Sequence, residues 1–157
     1  MSSKKNSEKS GKKSDKKAAK RKDVIVDTAL LDALVERASV VRDHAHAPYS
    51  KYRVGAAIAT RSGLIFEGCN VENASLGATI CAERGAIMQM IAAGVRDPIA
   101  CAVVTEDGGS PCGICRQVLA EFADDMPIAL VSAKKKDSAT GHIVHLADLL
   151  PLAFSLR

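Results

Sequence analysis

Residues 110–117 read Ser110-Pro111-Cys112-Gly113-Ile114-Cys115-Arg116-Gln117. Pro111 suits the first turn of a helix, where a missing N–H breaks no hydrogen bond, and the spacing predicts a helix from there to about Ala123. Cys112 and Cys115 are three apart, hence neighbours on one helical face, and can grip one ion together. Upstream, Cys81-Ala82-Glu83-Arg84 opens a second helix, which Thr79 is placed to cap and Gly94 to close. Both cysteine clusters thus fall at helix N-termini, where free N–H groups and the dipole favour thiolate, the metal-binding form.

Three sulfurs leave one position of a tetrahedral Zn²⁺ open for water, the pattern of a catalytic site. A structural zinc would close that position, with Cys69, Cys101, His142 or His145 as a fourth donor, yet nothing in the sequence pairs any of these with the three cysteines. Glu83 stands two residues from Cys81, roughly 200° around a helix, and is placed to reach the water instead of the ion. Alone, a Glu in a first turn reads as a dipole partner; beside three metal-type cysteines it reads as an acid–base group.

Working outward, Leu30, Leu31, Leu34, Val35, Ala38 and Val41 recur at helical spacing after a capping Asp27, and the helix fades before Pro48. Residues 53–60 and 64–71 alternate around Arg61-Ser62-Gly63 as a hairpin, and 72–78 is a polar loop. Residues 98–105, 128–132 and 143–146 are three further strands, 134–141 a polar turn and 147–150 a short last helix. The expected fold is α/β, a mixed five-stranded sheet with helices on both faces.

Two opposite charge balances share the chain. Residues 1–22 carry ten Lys or Arg against Glu8 and Asp15, a net +8, while the other twelve basic and sixteen acidic side chains leave residues 23–157 near −4. The Lys- and Ser-rich start has almost no large apolar side chain and is expected to be a disordered tail, 1–22, ahead of one catalytic domain, 23–157. Neither a secretory nor a transit pattern nor a membrane-length apolar run occurs, so a soluble, cytoplasmic protein is expected. Five cysteines, an odd number, argue for thiols or metal ligands over a disulfide framework.

A Cys₃ set with a non-ligand Glu and a Pro-Cys-x-x-Cys run is the signature of zinc deaminases. Together with Ala47-Pro48-Tyr49-Ser50-Lys51-Tyr52, Val54-Gly55-Ala56-Ala57 and Gly68-Cys69-Asn70-Val71-Glu72-Asn73-Ala74-Ser75, these blocks resemble the small, homotetrameric cytidine deaminases. The likeness spans about residues 27–155.

The resemblance implies Zn²⁺ on Cys81, Cys112 and Cys115, with Glu83 moving protons as hydroxide adds to C4 of cytidine or deoxycytidine and ammonia leaves. It matches Asn70 and Glu72 to the pair that hydrogen-bonds the ribose hydroxyl, although by themselves they read equally well as a solvated turn. Ala82 matches the backbone N–H that holds pyrimidine O2, and Ser110 the carbonyl facing the amino group. Tyr52 falls where the family usually has Phe against the base, and Phe154 where a neighbouring subunit lends a ring. Arg84 is placed to offset the thiolate charge, with Arg116 a second candidate for that role.

Two departures bear on the pocket. Leu76 replaces a common Tyr, and Leu152 a small residue before the terminal aromatic. They leave open a deaminase of another aminopyrimidine nucleoside, such as a blasticidin-like antibiotic. A polynucleotide editor using the basic tail is disfavoured by the acidic domain, and a non-enzymatic domain built on structural zinc is the remaining alternative.

Overall fold

The computed structural model describes residues 26–134 and 141–156. The Lys-rich tail lies outside the described residues, as does most of the 134–141 turn.

The first helix, α1 (Thr28–Arg42), starts where Asp27 Oδ1 accepts the Leu30 N–H at 2.9 Å, and it buries Leu31, Leu34, Val35 and Ala38. Strands β1 (Gly55–Thr60) and β2 (Ile65–Cys69) form the hairpin, each shorter than the alternating pattern suggests. At residues 53–54 and 70–71 the backbone leaves the ladder: Val54 N–H goes to the Asn70 side chain, and Val71 bridges Ile80. Helix α2 (Ala82–Ala92), strand β3 (Pro98–Thr105), helix α3 (Gly113–Ala120), strands β4 (Pro127–Ser132) and β5 (His142–His145) and helix α4 (Leu146–Leu149) follow.

The five strands form one mixed sheet in the order β2-β1-β3-β4-β5, with β3 parallel to β4 and the other neighbours antiparallel. One face packs α1 against Ala57, Ala59, Ala102 and Ala129; the other packs α2 and α3 against Ile58, Cys101, Val103 and Ile128. Helices therefore cover both faces, as the element order implies. Alanines on β1 and β3 keep the helices close to the sheet. Two glycines bring them closer still: a Cβ at Gly55 would stand 2.0 Å from the Ala38 carbonyl oxygen of α1, and one at Gly68 2.3 Å from the Ala82 carbonyl oxygen and 2.4 Å from the Ala86 nitrogen of α2.

Register decides where the site lies. Gly55, the first residue of β1, pairs with Cys69 on one side and Val104 on the other. The carboxyl ends of β2 and β3 thus sit at the same edge of the sheet, and the segments leaving them begin α2 and α3 on the same face. The crevice outside strand carboxyl ends is the usual ligand position in an open α/β sheet. Here it collects residues 50–54 before β1, 70–72 after β2, the start of α2, Thr105 at the end of β3 and residues 106–112 after it.

Candidate active site

Cys81 and Cys112 are the N-caps of α2 and α3. Both helices start later than the sequence suggests. Thr79 does not cap α2: it is the C-cap of a short 3₁₀ turn, Leu76–Ala78, and the Ile80 N–H donates to the Val71 carbonyl, which keeps the backbone extended until Cys81. Pro111 precedes the cap of α3 and is not in its first turn, and the helix ends at Ala120, short of residue 123. The consequence favours the site, since cap side chains project beyond the helix ends toward one another.

The Cys81 and Cys112 sulfurs are 3.8 Å apart, and the three Sγ atoms, with Cys115, all lie within 4.8 Å of one another. Sulfurs bound at about 2.3 Å in a tetrahedron are separated by about 3.8 Å, so the cluster fits Zn²⁺. Among the described residues no fourth His, Cys, Asp or Glu joins the group within that distance. Cys101 is buried in the core beneath α2, and His145 is paired with Asp125 on the edge strand. The Cys115 thiol hydrogen-bonds to Cys81 and, with Arg84 and Cys112 adding to it, draws the Cys81 thiol down to about 5. Cys115 itself is pushed up as that donor, and by its burial beside Glu83.

Glu83 is only 3% exposed, and its Oε2 lies 3.5 Å from Cys115 Sγ. Burial, reinforced by the Cys81 charge, raises its carboxyl above the ordinary carboxylate value. A carboxyl so placed passes between its two protonation states more easily near neutral pH than an exposed one. Arg84 donates from Nη2 to the Thr79 carbonyl at 2.6 Å and reaches Cys81 Sγ at 4.0 Å, so it lies beside the cysteine cluster. Arg116 does not. Its three donors go to the Pro111 and Leu149 carbonyls and to Ser110 Oγ, at 2.7, 2.9 and 3.0 Å, which fastens the 110–111 turn to α3 and α4.

A cavity of about 310 Å³ opens above the sulfurs, walled by Tyr52, Asn70, Glu72, Glu83, Thr105 and Ser110 among others. Asn70 is nearly buried, its Oδ1 accepting Val54 N–H and its Nδ2 donating to the Tyr52 carbonyl, each at 2.9 Å. Glu72 accepts the Tyr49 and Ser50 N–H groups at 2.9 and 3.2 Å and the Ser50 hydroxyl, which holds its carboxyl below the usual range. Ala82 is wholly buried at the first position of α2, where a backbone N–H has no intrahelical acceptor. Phe154 stands apart at 70% exposure, its carbonyl accepting from Gln117 at 2.9 Å. Sequence reasoning missed Ser50, Thr105 and Asp107, whose side chains tie the pocket's loops together. Short polar residues in turns carry no signal of their own until a partner is seen.

Residues 29–131 match the family model described as the cytidine and deoxycytidylate deaminase zinc-binding region. The chain belongs to this family.

Among its relatives is a cytidine deaminase of Sporosarcina psychrophila, 43% identical over 128 residues that cover 80% of this chain and 91% of the relative. That of Halalkalibacterium halodurans is 47% identical over 124 residues, or 78% and 92% of the two chains. The crystal structure of a cytidine deaminase from Burkholderia pseudomallei superposes with a TM-score of 0.72 at 43% identity, covering 78% of this chain and 97% of that one. The segment matched to the deaminase family holds the three cysteines, Glu83, Arg84 and the polar wall from Tyr52 to Ser110, and it ends before Leu152 and Phe154. Leu76, at 80% exposure, projects from the 3₁₀ turn, and Leu152 is fully exposed with a φ of 55°.

Proposed function

We propose that this protein hydrolytically deaminates cytidine and deoxycytidine to uridine and deoxyuridine, releasing ammonia. The observation that carries the reading is the buried Glu83 carboxyl beside a three-sulfur cluster, at the floor of a cavity of nucleoside-base size. Zinc, when bound by Cys81, Cys112 and Cys115, supplies acidification of a water and Lewis acidity.

The chain's own groups do the rest. Glu83 takes one proton from the attacking water and delivers it to N3 of the base, then takes the second from the oxygen now bonded to C4 and delivers it to the amine, so that the C4–N bond breaks and ammonia leaves. The Ala82 N–H at the start of α2 orients pyrimidine O2, and the Ser110 carbonyl meets the amino group. Glu72 and Asn70 hold the sugar, their backbone partners fixing both before any substrate arrives. Arg84 offsets the negative charge of the thiolates.

Further parts of the reading rest on the family resemblance and the surface. The assembly is a homotetramer in which Phe154 completes a neighbour's pocket, and the exposure of Ile114, Phe154 and Leu156 supports an apolar contact there. The work is pyrimidine salvage in the cytoplasm, and among the described residues no helix is long and apolar enough to cross a membrane. The +8 of residues 1–22 gives a weak, salt-sensitive contact with nucleic acid, separate from catalysis. Ammonia release measured with cytidine, deoxycytidine, adenosine and short single strands tests the reading; turnover of adenosine or strands in place of the two pyrimidine nucleosides would overturn it.

A further inference from the structure

Tyr52 occupies the wall of the cavity, and its hydroxyl is engaged in a contact that a phenylalanine lacks. It donates to Asp107 Oδ1 at 2.5 Å, across a gap of 55 residues in sequence. The same Asp107 oxygen accepts the Thr105 hydroxyl at 3.2 Å and the Gly109 N–H at 3.3 Å. Thr105 Oγ1 in turn accepts the Gly108 and Gly109 N–H groups at 2.8 and 2.7 Å. The 106–110 loop is thereby closed on the end of β3, and the Tyr52 ring is pinned to it.

Gly109 shows how close the fit is. A Cβ at that position would stand 2.8 Å from the Tyr52 hydroxyl oxygen, and a phenol ring has no torsion that withdraws its oxygen alone. On its other side Tyr52 is held by backbone, its N–H donating to Ser50 Oγ at 3.0 Å and its carbonyl accepting from Asn70. One side chain therefore joins the sugar-side residues, Glu72, Ser50 and Asn70, to the loop that ends in Ser110. Burial and Asp107 hold the phenol above its ordinary value, and Tyr52 holds the Asp107 carboxyl below its own.

Resting on the deaminase reading, we infer that Asp107 is a positioning residue of this enzyme: through the Tyr52 hydroxyl it sets the ring that packs against the base, and with it the width of the pocket. Asp107 touches no substrate. The device acts on the bound nucleoside before reaction begins, so its loss weakens ground-state and transition-state binding alike, which appears in KM and leaves kcat in place.

Tyr52→Phe, Asp107→Ala, Asp107→Asn and the double variant Tyr52→Phe/Asp107→Ala, assayed on cytidine with zinc content and melting temperature alongside, test this. Tyr52→Phe and Asp107→Ala should each raise KM on the order of three- to thirty-fold, the double variant no more than either single, because both delete one contact. Asp107→Asn keeps an acceptor oxygen and should restore most of the loss. Additive effects, an unchanged KM, or a loss confined to kcat would overturn the proposal. The contact also has a readout that needs no turnover. The chain contains no Trp and only Tyr49 and Tyr52, and a carboxylate hydrogen-bonded to a phenol quenches its emission. Asp107→Ala should brighten tyrosine fluorescence in the parent and leave it unchanged in the Tyr52→Phe background. If the parent fails to deaminate cytidine while that pattern holds, the functional reading falls and the clamp stands; the reverse outcome removes the clamp alone.

Discussion

Glu83 and Cys112 face the same cavity but are expected to fail in different ways. Glu83→Gln keeps the volume and an acceptor while removing the exchangeable proton, so zinc content and melting temperature should stay near the parent values. Turnover should fall by about 10² to 10⁴ or more, because one residue serves several transfers. Cys112→Ala removes a thiolate at a helix end and should lower zinc occupancy and melting temperature together. Zinc analysis, thermal melts and cytidine turnover on both variants separate the roles, and a Glu83→Gln protein that loses its metal would show Glu83 to be structural. The cysteines and Glu83 were legible in the sequence because each of the pairs Cys81/Glu83 and Cys112/Cys115 combines strong chemistry with short local spacing, even though the two pairs lie 31 residues apart. Asp107 and the fastening role of Arg116 were not, since each depends on a partner more than thirty residues away that only folding brings near.

Elements were legible in number and order, and less so at their ends. Periodicity locates α1 and the five strands because it records burial on one face, which the sheet and its two helical layers enforce. Helix starts at Thr79 and Pro111 were misplaced because other contacts compete: the bridge between Val71 and Ile80 holds one segment extended, and Arg116, itself tied to the Leu149 carbonyl, grips the carbonyl of Pro111 in the other. The 46–54 segment before β1 should have its own pH dependence, through Glu72. Glu72 accepts two N–H groups and a hydroxyl from it, and the folded carboxyl titrates below its unfolded value. A depressed carboxylate contributes stability above the unfolded value of about 4.3 and loses it as pH falls through the lower folded value. The Tyr49 and Ser50 amide resonances should accordingly shift with a midpoint below about 4.3, and the transition should vanish in Glu72→Gln. A midpoint at or above that value would show that the carboxylate is not held by the segment.

For the whole molecule, Leu76, Ile114, Phe154 and Leu156 are exposed apolar side chains that the proposed homotetramer would cover. Sedimentation should give a tetramer, and Phe154→Ala should raise KM for cytidine by about three- to ten-fold with little change in melting temperature. A fully active monomer would refute the shared pocket. Deleting residues 1–22 should leave turnover of free cytidine unchanged while abolishing the salt-dependent retention of a single-stranded oligonucleotide; a large fall in turnover would give the tail a catalytic part. The position of the ligands around β3 has a consequence in time. Cys81 precedes that strand and Cys112 and Cys115 follow it, so the sulfurs meet only after β3 has seated beside β1 and the chain has crossed into α3. The β1–β2 hairpin closes within microseconds, whereas the parallel pairing of β3 with β4 waits for its crossover. At a synthesis rate of about 5–20 residues per second, Cys81 emerges seconds before Cys112, 31 residues later. Each newborn chain thus carries the Cys81 thiol without its two partner sulfurs, open to oxidants, until the second half arrives.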